Sequence, residues 1–360
     1  MKRRMVLLNP GPVNVTDTVR RALLGPDICH REPEFSRLLI SVRDRLLSLF
    51  ARRSGFSVAL FSGSGTTAVE AMMSSFTSPG RRVLVLSNGV YGERLKQILE
   101  RRGASPAFLE APIGDFPDKA AIRRALSQRS IEAVAMVHHE TSSGTLNPLS
   151  DVSALAKRLG KYVLVDAVSS LGGESVDVSK LDLCAGTSGK CLHGVPGIAF
   201  VFVSPRAKAA LAKRSPTSLT LDLKSALSHA ESGDTAFTPA VQVLYALDQA
   251  LRELSKEGLH ARIARYRKLS ALVTEGMQWL GVPFLVEDPR LRSHVLTALR
   301  MPVGISYDSL HDELKKRGFV IYAGQSTLKG RIFRVANLGA ISAADIKRFL
   351  SHLKKILDRR

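Results

Sequence analysis

The chain has 360 residues, 45% of them hydrophobic, which predicts a packed globular protein with more than one domain. Its three cysteines lack metal-ligand spacing, so the composition excludes a disulfide scaffold and a zinc site. The formal net charge of +20 would attract polyanions, but the basic residues follow amphipathic segments without a nucleic-acid-binding motif, so we interpret them mainly as solvated faces.

The N-terminal region combines a short apolar run with a rigid turn. Residues 5–8 are too few for a signal peptide or a membrane anchor, so we expect a cytoplasmic protein. Asn-Pro-Gly-Pro follows at residues 9–12 and fixes an extended start to the fold. Thr16 or Asp17 can cap a first helix, and an amphipathic helix is predicted over residues 36–50.

A strand predicted at residues 57–61 leads into a loop of glycines and small hydroxyls. Ser64, Gly65 and Thr66 lie where this loop turns into a helix, and free backbone N–H groups at a helix start form an anion site that can hold a phosphate. The loop also resembles a dinucleotide-binding fingerprint. The next strand, at residues 83–86, ends in Ser-Asn-Gly instead of the acid that binds a ribose, which argues against a nicotinamide-dependent dehydrogenase.

Two further segments place polar and aromatic side chains at strand ends. Tyr91 opens the helix after the second of these strands and can stack on an aromatic ring. A buried strand over residues 131–138 runs into His-His-Glu-Thr-Ser-Ser, where hydroxyls can reach a ligand at the same sheet edge. The two histidines lack the spacing of a metal pair, so we predict no metal site.

The most informative stretch runs from residue 161 to residue 197. An apolar, β-branched run there ends at Asp166, the pattern of a buried parallel strand that delivers a carboxylate to the ligand-binding edge of an α/β sheet. Thr-Ser-Gly-Lys-Cys then places Lys190 among small residues, where an amine can lie partly desolvated. A pyridoxal phosphate enzyme needs a lysine that forms an imine and an acid that keeps the pyridine nitrogen protonated. Lys190 and Asp166 are therefore the predicted catalytic residues.

The secondary-structure pattern changes along the chain. Strands alternate with helices over residues 57–203, which predicts a mostly parallel, doubly wound α/β sheet. From about residue 259 the pattern becomes helix, strand, helix, strand, helix, as in a smaller α+β domain. We therefore predict a large domain over residues 16–257 and a small C-terminal α+β domain over residues 258–360.

Arg334 is the candidate binding residue of the C-terminal region. An arginine on an alternating strand usually faces solvent, but this one lies beside an Asn-Leu-Gly turn. In that place its planar fork can clamp a carboxylate or a phosphonate.

With these motifs the chain resembles the fold-type I, class V pyridoxal phosphate aminotransferases over nearly its whole length. The lysine motif and the strand of Asp166 are specific for that class. Gly-Val-Pro-Gly at residues 194–197 and Ser-Leu-Thr-Leu-Asp at residues 218–222 are similar to the branch that transfers the amino group of 2-aminoethylphosphonate to pyruvate. The resemblance implies a seven-stranded sheet, pyridoxal 5'-phosphate as cofactor, an amine donor and a 2-oxo acid as substrates, and a homodimer that binds neither membranes nor specific nucleic acids.

The resemblance also implies a role for each matched residue. Lys190 would hold the cofactor as an internal imine, and Asp166 would pair with its pyridine nitrogen. The N-terminal segment, residues 1–15, would contribute to the active site. The other cofactor-binding residues would be Ser64, Gly65 and Thr66 at the phosphate, Tyr91 stacked on the ring, Thr141 at the ring oxygen, Ser188, and Thr238 from the second subunit; the substrate-binding residues would be Arg334, Gly11 and Pro12.

Three other functions stay open at this point. An alanine or serine:glyoxylate aminotransferase shares every cofactor residue, and Cys-His-Arg-Glu at residues 29–32 is similar to those relatives. A cysteine desulfurase needs a nucleophilic cysteine in a late loop, whereas the last cysteine here is Cys191. A basic nucleic-acid-binding protein would explain the charge without catalysis. The sequence assigns no role to His30 and Arg31.

Overall fold

The computed structural model describes residues 4–52, 55–77, 80–216 and 218–358. The strands are, in chain order, β1 (Val6–Leu7), β2 (Ser57–Gly63), β3 (Arg82–Ser87), β4 (Ala107–Glu110), β5 (Ile131–Val137), β6 (His139–Glu140), β7 (Thr145–Leu146), β8 (Tyr162–Asp166), β9 (Leu183–Thr187), β10 (Gly197–Val203), β11 (Leu296–Arg300), β12 (Phe319–Val320), β13 (Tyr322–Ala323) and β14 (Ile332–Ala336).

Helices cover both faces of the large sheet and build most of the C-terminal region. They are α1 (Asp17–Ala22), α2 (Pro33–Phe50), α3 (Gly65–Ser75), α4 (Val90–Arg101), α5 (Lys119–Leu126), α6 (Leu149–Arg158), α7 (Pro205–Ala212), α8 (Leu223–Ser232), α9 (Val241–Glu257), α10 (Leu259–Trp279), α11 (Tyr307–Lys316) and α12 (Ala343–Leu357). The second helix begins three residues before the predicted start because Pro33 occupies its first turn, where a proline sacrifices no hydrogen bond.

A seven-stranded sheet in the order β2-β10-β9-β8-β5-β3-β4 confirms the predicted fold class. Neighbouring strands are parallel except that β10 runs antiparallel to both β9 and β2. The sequence pattern did not distinguish β10 from its parallel neighbours. Its direction follows from its connection to β9, a loop at residues 188–196 that holds no crossover helix. We call residues 188–196 the lysine loop.

Alternate residues of the central strands supply two separate cores, as expected for a sheet covered on both faces. In β3, Leu84 and Leu86 pack with helices α2, α5, α6 and α9, whereas Val83 and Val85 pack with α3, α4, α7 and α8. This double burial explains why these strands are continuous apolar runs. It also fixes the carboxyl ends of β5, β8 and β9 as one rigid edge.

The N-terminal segment packs on the C-terminal region. Strand β1 pairs in parallel with β12, with Val6 opposite Phe319, and Val6 and Leu8 are buried in the core formed by α10, α11, α12 and the C-terminal strands. Gly258, with φ of 87°, separates α9 from α10. The domain limits at residues 16 and 258 stay a prediction.

Among the residues that the structure describes, no helix is both long and apolar enough to span a membrane. The cytoplasmic location stays a prediction.

Candidate active site

A cavity of about 200 Å³ lies at the carboxyl edge of the large sheet. It is bounded by the ends of β5 and β8, the start of α3, the first turn of α4 and the lysine loop. Its lining contains seven of the residues predicted from the sequence, namely Ser64, Gly65, Thr66, Tyr91, Thr141, Asp166 and Lys190, together with Val69, Arg94, Val137, His139, Val168 and Ser169. The predicted lysine and aspartate thus share one cavity.

Lys190 reaches this cavity from the lysine loop. Its Nζ donates a hydrogen bond to the carbonyl of Pro10, and a Cβ at Gly11 would lie 2.7 Å from that Nζ. Burial, with the charges of Arg334 and Arg94 nearby, lowers the pKa of the Lys190 amine to about 8. An amine with this pKa is partly neutral, and therefore nucleophilic, close to neutral pH.

Asp166 is the last residue of β8 and is 8% exposed. Its Oδ1 accepts a hydrogen bond from the backbone N–H of Val168 at 2.9 Å, which fixes the carboxyl orientation. Burial raises the pKa of Asp166 to about 6, although that hydrogen bond and the charges of Arg94 and Lys190 oppose the shift. The carboxylate is mostly ionised at neutral pH, and a cationic partner would stabilise it.

The start of α3 forms the anion-binding side of the cavity. Ser64 is the N-cap residue and makes no side-chain cap bond, and the backbone N–H groups of Gly65 and Thr66, the first two helical positions, have no acceptor in the preceding turn. A Cβ at Gly65 would lie 2.5 Å from Val168 Cγ1, so only glycine lets the helix start this close to the end of β8. The N–H groups and the dipole of the helix start favour a bound phosphate.

Arg94 belongs to the same side of the cavity and was missed in the sequence. Its Nη1 donates to the Thr66 hydroxyl at 3.1 Å, and its guanidinium lies 4.6 Å from the centre of the Tyr91 ring. Because Arg94 follows Tyr91 by three positions in α4, helix periodicity places both on one face. That spacing was the signal that could have identified it.

Glu140 is a second residue that sequence reasoning left without a role. Its carboxylate is fully buried and accepts the backbone N–H groups of Tyr91 at 3.0 Å and Gly92 at 3.2 Å, and also that of Ser142 at 3.1 Å. A Cβ at Gly89 would lie 2.6 Å from Glu140 Cγ, which explains the glycine after Asn88. Glu140 therefore anchors the first turn of α4 and with it Tyr91.

Arg334 on β14 is fully buried, not on the exposed face that is usual for an arginine. Its Nη1 donates to the carbonyl of Thr141 at 2.7 Å, and its Nε donates to the carbonyl of Ala323 at 3.0 Å. Through Thr141, a residue of the cavity lining, the guanidinium adjoins the site. Burial lowers the pKa of Arg334, but the group remains a cation at neutral pH.

The structure does not place Ser188 and Thr238 in the lining of this cavity. Ser188 is fully buried in the lysine loop, where its hydroxyl donates to the carbonyl of Val195 at 2.5 Å. Thr238 lines a separate cavity of about 300 Å³, which also contains Thr67. Pro12 is exposed, whereas its neighbour Gly11 contacts the Lys190 side chain.

Arg31, which the sequence left without a role, contacts the segment that leads to Thr238. Its Nη1 donates to Asp234 at 2.6 Å and to the carbonyl of Thr235 at 2.9 Å. Asp234 and Thr235 line the same cavity as Thr238. Arg31 thus fixes residues 234–235, which precede Thr238 in the same chain.

The sequence profile of the family described as "Aminotransferase class-V" matches residues 27–343. The chain belongs to the class V aminotransferases. It is 37% identical to a 2-aminoethylphosphonate–pyruvate transaminase of Salmonella paratyphi A, over 98% of this chain and 97% of that protein. It is 35% identical to a protein of the same name from Syntrophobacter fumaroxidans, over 98% and 96%. The crystal structure of an alanine–glyoxylate aminotransferase from Nostoc superposes with a TM-score of 0.92 at 27% identity, over 99% of this chain and 96% of that one.

Membership of this family makes the protein a pyridoxal-phosphate-dependent aminotransferase. This replaces the interpretation of the chain as a non-catalytic nucleic-acid-binding protein. The desulfurase alternative finds no support in Cys191, which is fully buried and donates its thiol to the carbonyl of Ser169 at 3.2 Å. Burial also raises the pKa of that thiol, so it is a poor nucleophile.

An unsatisfied polar atom in this class V aminotransferase shows that the cavity suits a ligand with polar groups. His139 Nδ1 donates to the carbonyl of Ser169 at 3.4 Å, and burial lowers the pKa of the ring to about 4. The imidazole is therefore neutral, and Nε2, which has no partner among the described residues, is a buried acceptor in the cavity lining. An amine, a carboxylate, a helix N-terminus and an aromatic face complete a set that fits pyridoxal phosphate.

Proposed function

We propose that this aminotransferase transfers the amino group of 2-aminoethylphosphonate to pyruvate, giving phosphonoacetaldehyde and alanine. The observation that carries the proposal is its 35–37% identity, over nearly the full length of each chain, to proteins with that activity in their names. The buried Arg334 supports it, because a planar fork accepts either a phosphonate or a carboxylate and can serve both substrates in turn. Gly11 and Pro12 would border the same substrate.

Lys190 and Asp166 would carry the chemistry. When bound, pyridoxal phosphate supplies an electron sink for the bond that breaks at the donor carbon. Lys190 would hold the cofactor covalently, and its Nζ, once displaced by the donor, would take the proton from the donor carbon. A pKa of about 8 suits an amine that must be a nucleophile and a base near neutral pH. Asp166 would pair with the protonated pyridine nitrogen and so keep the ring electron-poor.

The remaining lining residues would bind and orient the cofactor. Its phosphate would lie at the start of α3, against Ser64, Gly65 and Thr66, with the positive charge of Arg94 beside Thr66. Tyr91 would stack on the ring, held there by Glu140, and Thr141 would bond the ring oxygen. The buried Ser188 would act through the lysine loop that presents Lys190.

We also propose a homodimer in which Thr238 reaches the partner's cofactor. The proposal is supported by the position of Thr238 outside the cavity of its own chain and by the apolar surface next to it, where Leu219 is 81% exposed and Phe237 is 47% exposed. Mixing Lys190→Ala chains with Thr238→Ala chains tests it. A hybrid dimer would contain one site with both residues intact and should recover activity, whereas separate sites in each chain would give no recovery.

A donor and acceptor panel tests the proposed substrates. We expect the highest kcat/KM for 2-aminoethylphosphonate with pyruvate. An alanine or serine:glyoxylate aminotransferase is the second candidate, because the alanine–glyoxylate aminotransferase from Nostoc superposes over nearly all of this chain. Preference for alanine or serine with glyoxylate would refute the proposed substrates and leave the aminotransferase class in place.

A further inference from the structure

Two side chains of helix α10 in the C-terminal region form hydrogen bonds with the lysine loop. Arg262 is 2% exposed and donates from Nη1 to the carbonyl of Cys191, the residue after Lys190, at 3.1 Å. Its Nε donates to Glu257 at 2.5 Å, which balances the buried charge. The backbone that carries Lys190 is therefore attached to a helix about 70 positions further along the chain.

Tyr266, one turn further along α10, holds the same loop through His193. Its hydroxyl lies 2.6 Å from His193 Nε2 and 3.3 Å from the backbone N–H of Gly339. Burial and the nearby arginines lower the pKa of His193 well below its usual value, so the ring is neutral. Its Nε2 can therefore accept a hydrogen bond from the Tyr266 hydroxyl. The hydroxyl then accepts from Gly339, and both bonds are satisfied.

The conformation of His193 shows that the loop needs this support. Its φ is 62°, in the left-handed region that a non-glycine residue occupies at a cost. Contacts must stabilise it there, and the bond to Tyr266 is one of them. The loop also closes on itself, with the N–H of His193 donating to the carbonyl of Lys190 at 3.1 Å.

The same tyrosine touches the end of the strand that carries Arg334. Asn337, directly after β14, donates from Nδ2 to the carbonyl of Tyr266 at 3.2 Å and to the carbonyl of His294 at 2.9 Å. Gly339 follows in the same turn and donates to the Tyr266 hydroxyl. One fully buried side chain therefore lies between the lysine loop and the strand of the substrate-binding arginine.

We propose that Tyr266, assisted by Arg262, is a positioning residue that holds the lysine loop so that Nζ of Lys190 points into the cavity, in register with the strand of Arg334. The inference rests on the proposed covalent role of Lys190. Tyr266 does not line the cavity; it acts on the lysine loop through His193, and Arg262 acts on it through the carbonyl of Cys191. Its loss should therefore affect bond formation by Lys190 more than binding of the cofactor's ring and phosphate.

The test compares two forms of the cofactor on the full-length protein freed of cofactor. Pyridoxal 5'-phosphate can bond to Lys190, whereas pyridoxamine 5'-phosphate fills the same cavity without that bond. For Tyr266→Phe we expect an unchanged Kd for pyridoxamine 5'-phosphate and about tenfold slower covalent capture of pyridoxal 5'-phosphate. Tyr162→Phe is the matched control. It also removes a tyrosine hydroxyl, but at the start of β8, away from Asp166 and the cavity, so it should match the wild type in both measurements.

His193→Asn gives a second reading if Tyr266→Phe folds poorly. Asparagine tolerates the left-handed backbone but lacks the Nε2 acceptor, so it should slow capture in the same way. Capture at the wild-type rate in both variants, or an equal loss of binding for both cofactor forms, would overturn the proposal. A covalent adduct that persists in Lys190→Ala would instead show that the proposed function of Lys190 is wrong, whatever Tyr266 does.

Discussion

The Nζ of Lys190 donates a hydrogen bond to the backbone carbonyl of Pro10, which joins the start of the chain to the predicted catalytic lysine. The N-terminal segment is itself held by the pairing of β1 with β12. This contact gives the Asn-Pro-Gly-Pro motif a physical reason. The rigid turn presents a carbonyl, and the glycine in it lets the lysine side chain pass.

Gly11→Ala should therefore impair Lys190 directly. The added Cβ would lie 2.7 Å from Nζ, and the φ of 128° at this position disfavours any side chain. We expect covalent capture of pyridoxal phosphate, followed by its absorbance, to slow by about tenfold or more. Gly103→Ala is the matched control, since its φ of 73° is also left-handed but nothing lies within 4 Å of the new Cβ. Equal rates in the two variants would contradict this role of Gly11.

The pH dependence of cofactor capture should report the pKa of Lys190. Below about pH 8 the amine is protonated and cannot attack, and above it the neutral form predominates. Stopped-flow capture rates should rise with pH and level off above about 8. A rate that keeps rising toward pH 10, as for an ordinary lysine, would show that burial does not tune this amine.

Asp166→Asn should stabilise the cofactor-free protein and reduce the additional stability that cofactor binding gives. The folded-state pKa is raised from 3.8 to about 6, so the unpaired carboxylate destabilises the fold above pH 6, by up to about 3 kcal/mol. In denaturant titrations we expect the variant to be more stable at pH 8, with a difference that vanishes below pH 4. Asp44→Asn, on an exposed part of α2, should change little. A variant less stable than the wild type at pH 8 would contradict the argument.

Glu140→Gln should loosen the first turn of α4. A glutamine places an NH₂ group where one carboxylate oxygen now accepts the N–H groups of Tyr91 and Gly92. We expect a loss of about 1–3 kcal/mol in the free energy of unfolding and weaker binding of the cofactor ring. Glu93→Gln on the same helix is the control, because that side chain is 36% exposed. Unchanged stability would mean that the bonds to Glu140 contribute nothing net.

Arg334→Lys should raise KM for the amine donor and for the 2-oxo acid together. Lysine keeps a charge but lacks the fork that can hold an acid group and the Thr141 carbonyl at once. We expect an increase of about 10-fold or more in both constants. Arg331→Lys, on an exposed turn before β14, should leave both unchanged. A change confined to one substrate would show that the two acids do not share Arg334.

Residues at strand ends were predictable because a buried apolar run fixes where the strand stops and so where the next polar side chain lies. Asp166 and the loop at Ser64 follow this rule. The antiparallel direction of β10 was not predictable from apolar periodicity, which is the same for either direction. The role of Glu140 depends on backbone groups about 50 positions away, and no local pattern records such a contact.

The central claim is that Lys190, in the cavity it shares with Asp166, binds the cofactor covalently. Chemical trapping tests it most directly. The protein loaded with pyridoxal 5'-phosphate is treated with borohydride, digested and examined by peptide mass spectrometry. We predict a phosphopyridoxyl group on the peptide that contains Lys190, and none in Lys190→Ala. A label on another lysine, or a wild-type protein that takes up no cofactor, would contradict the account.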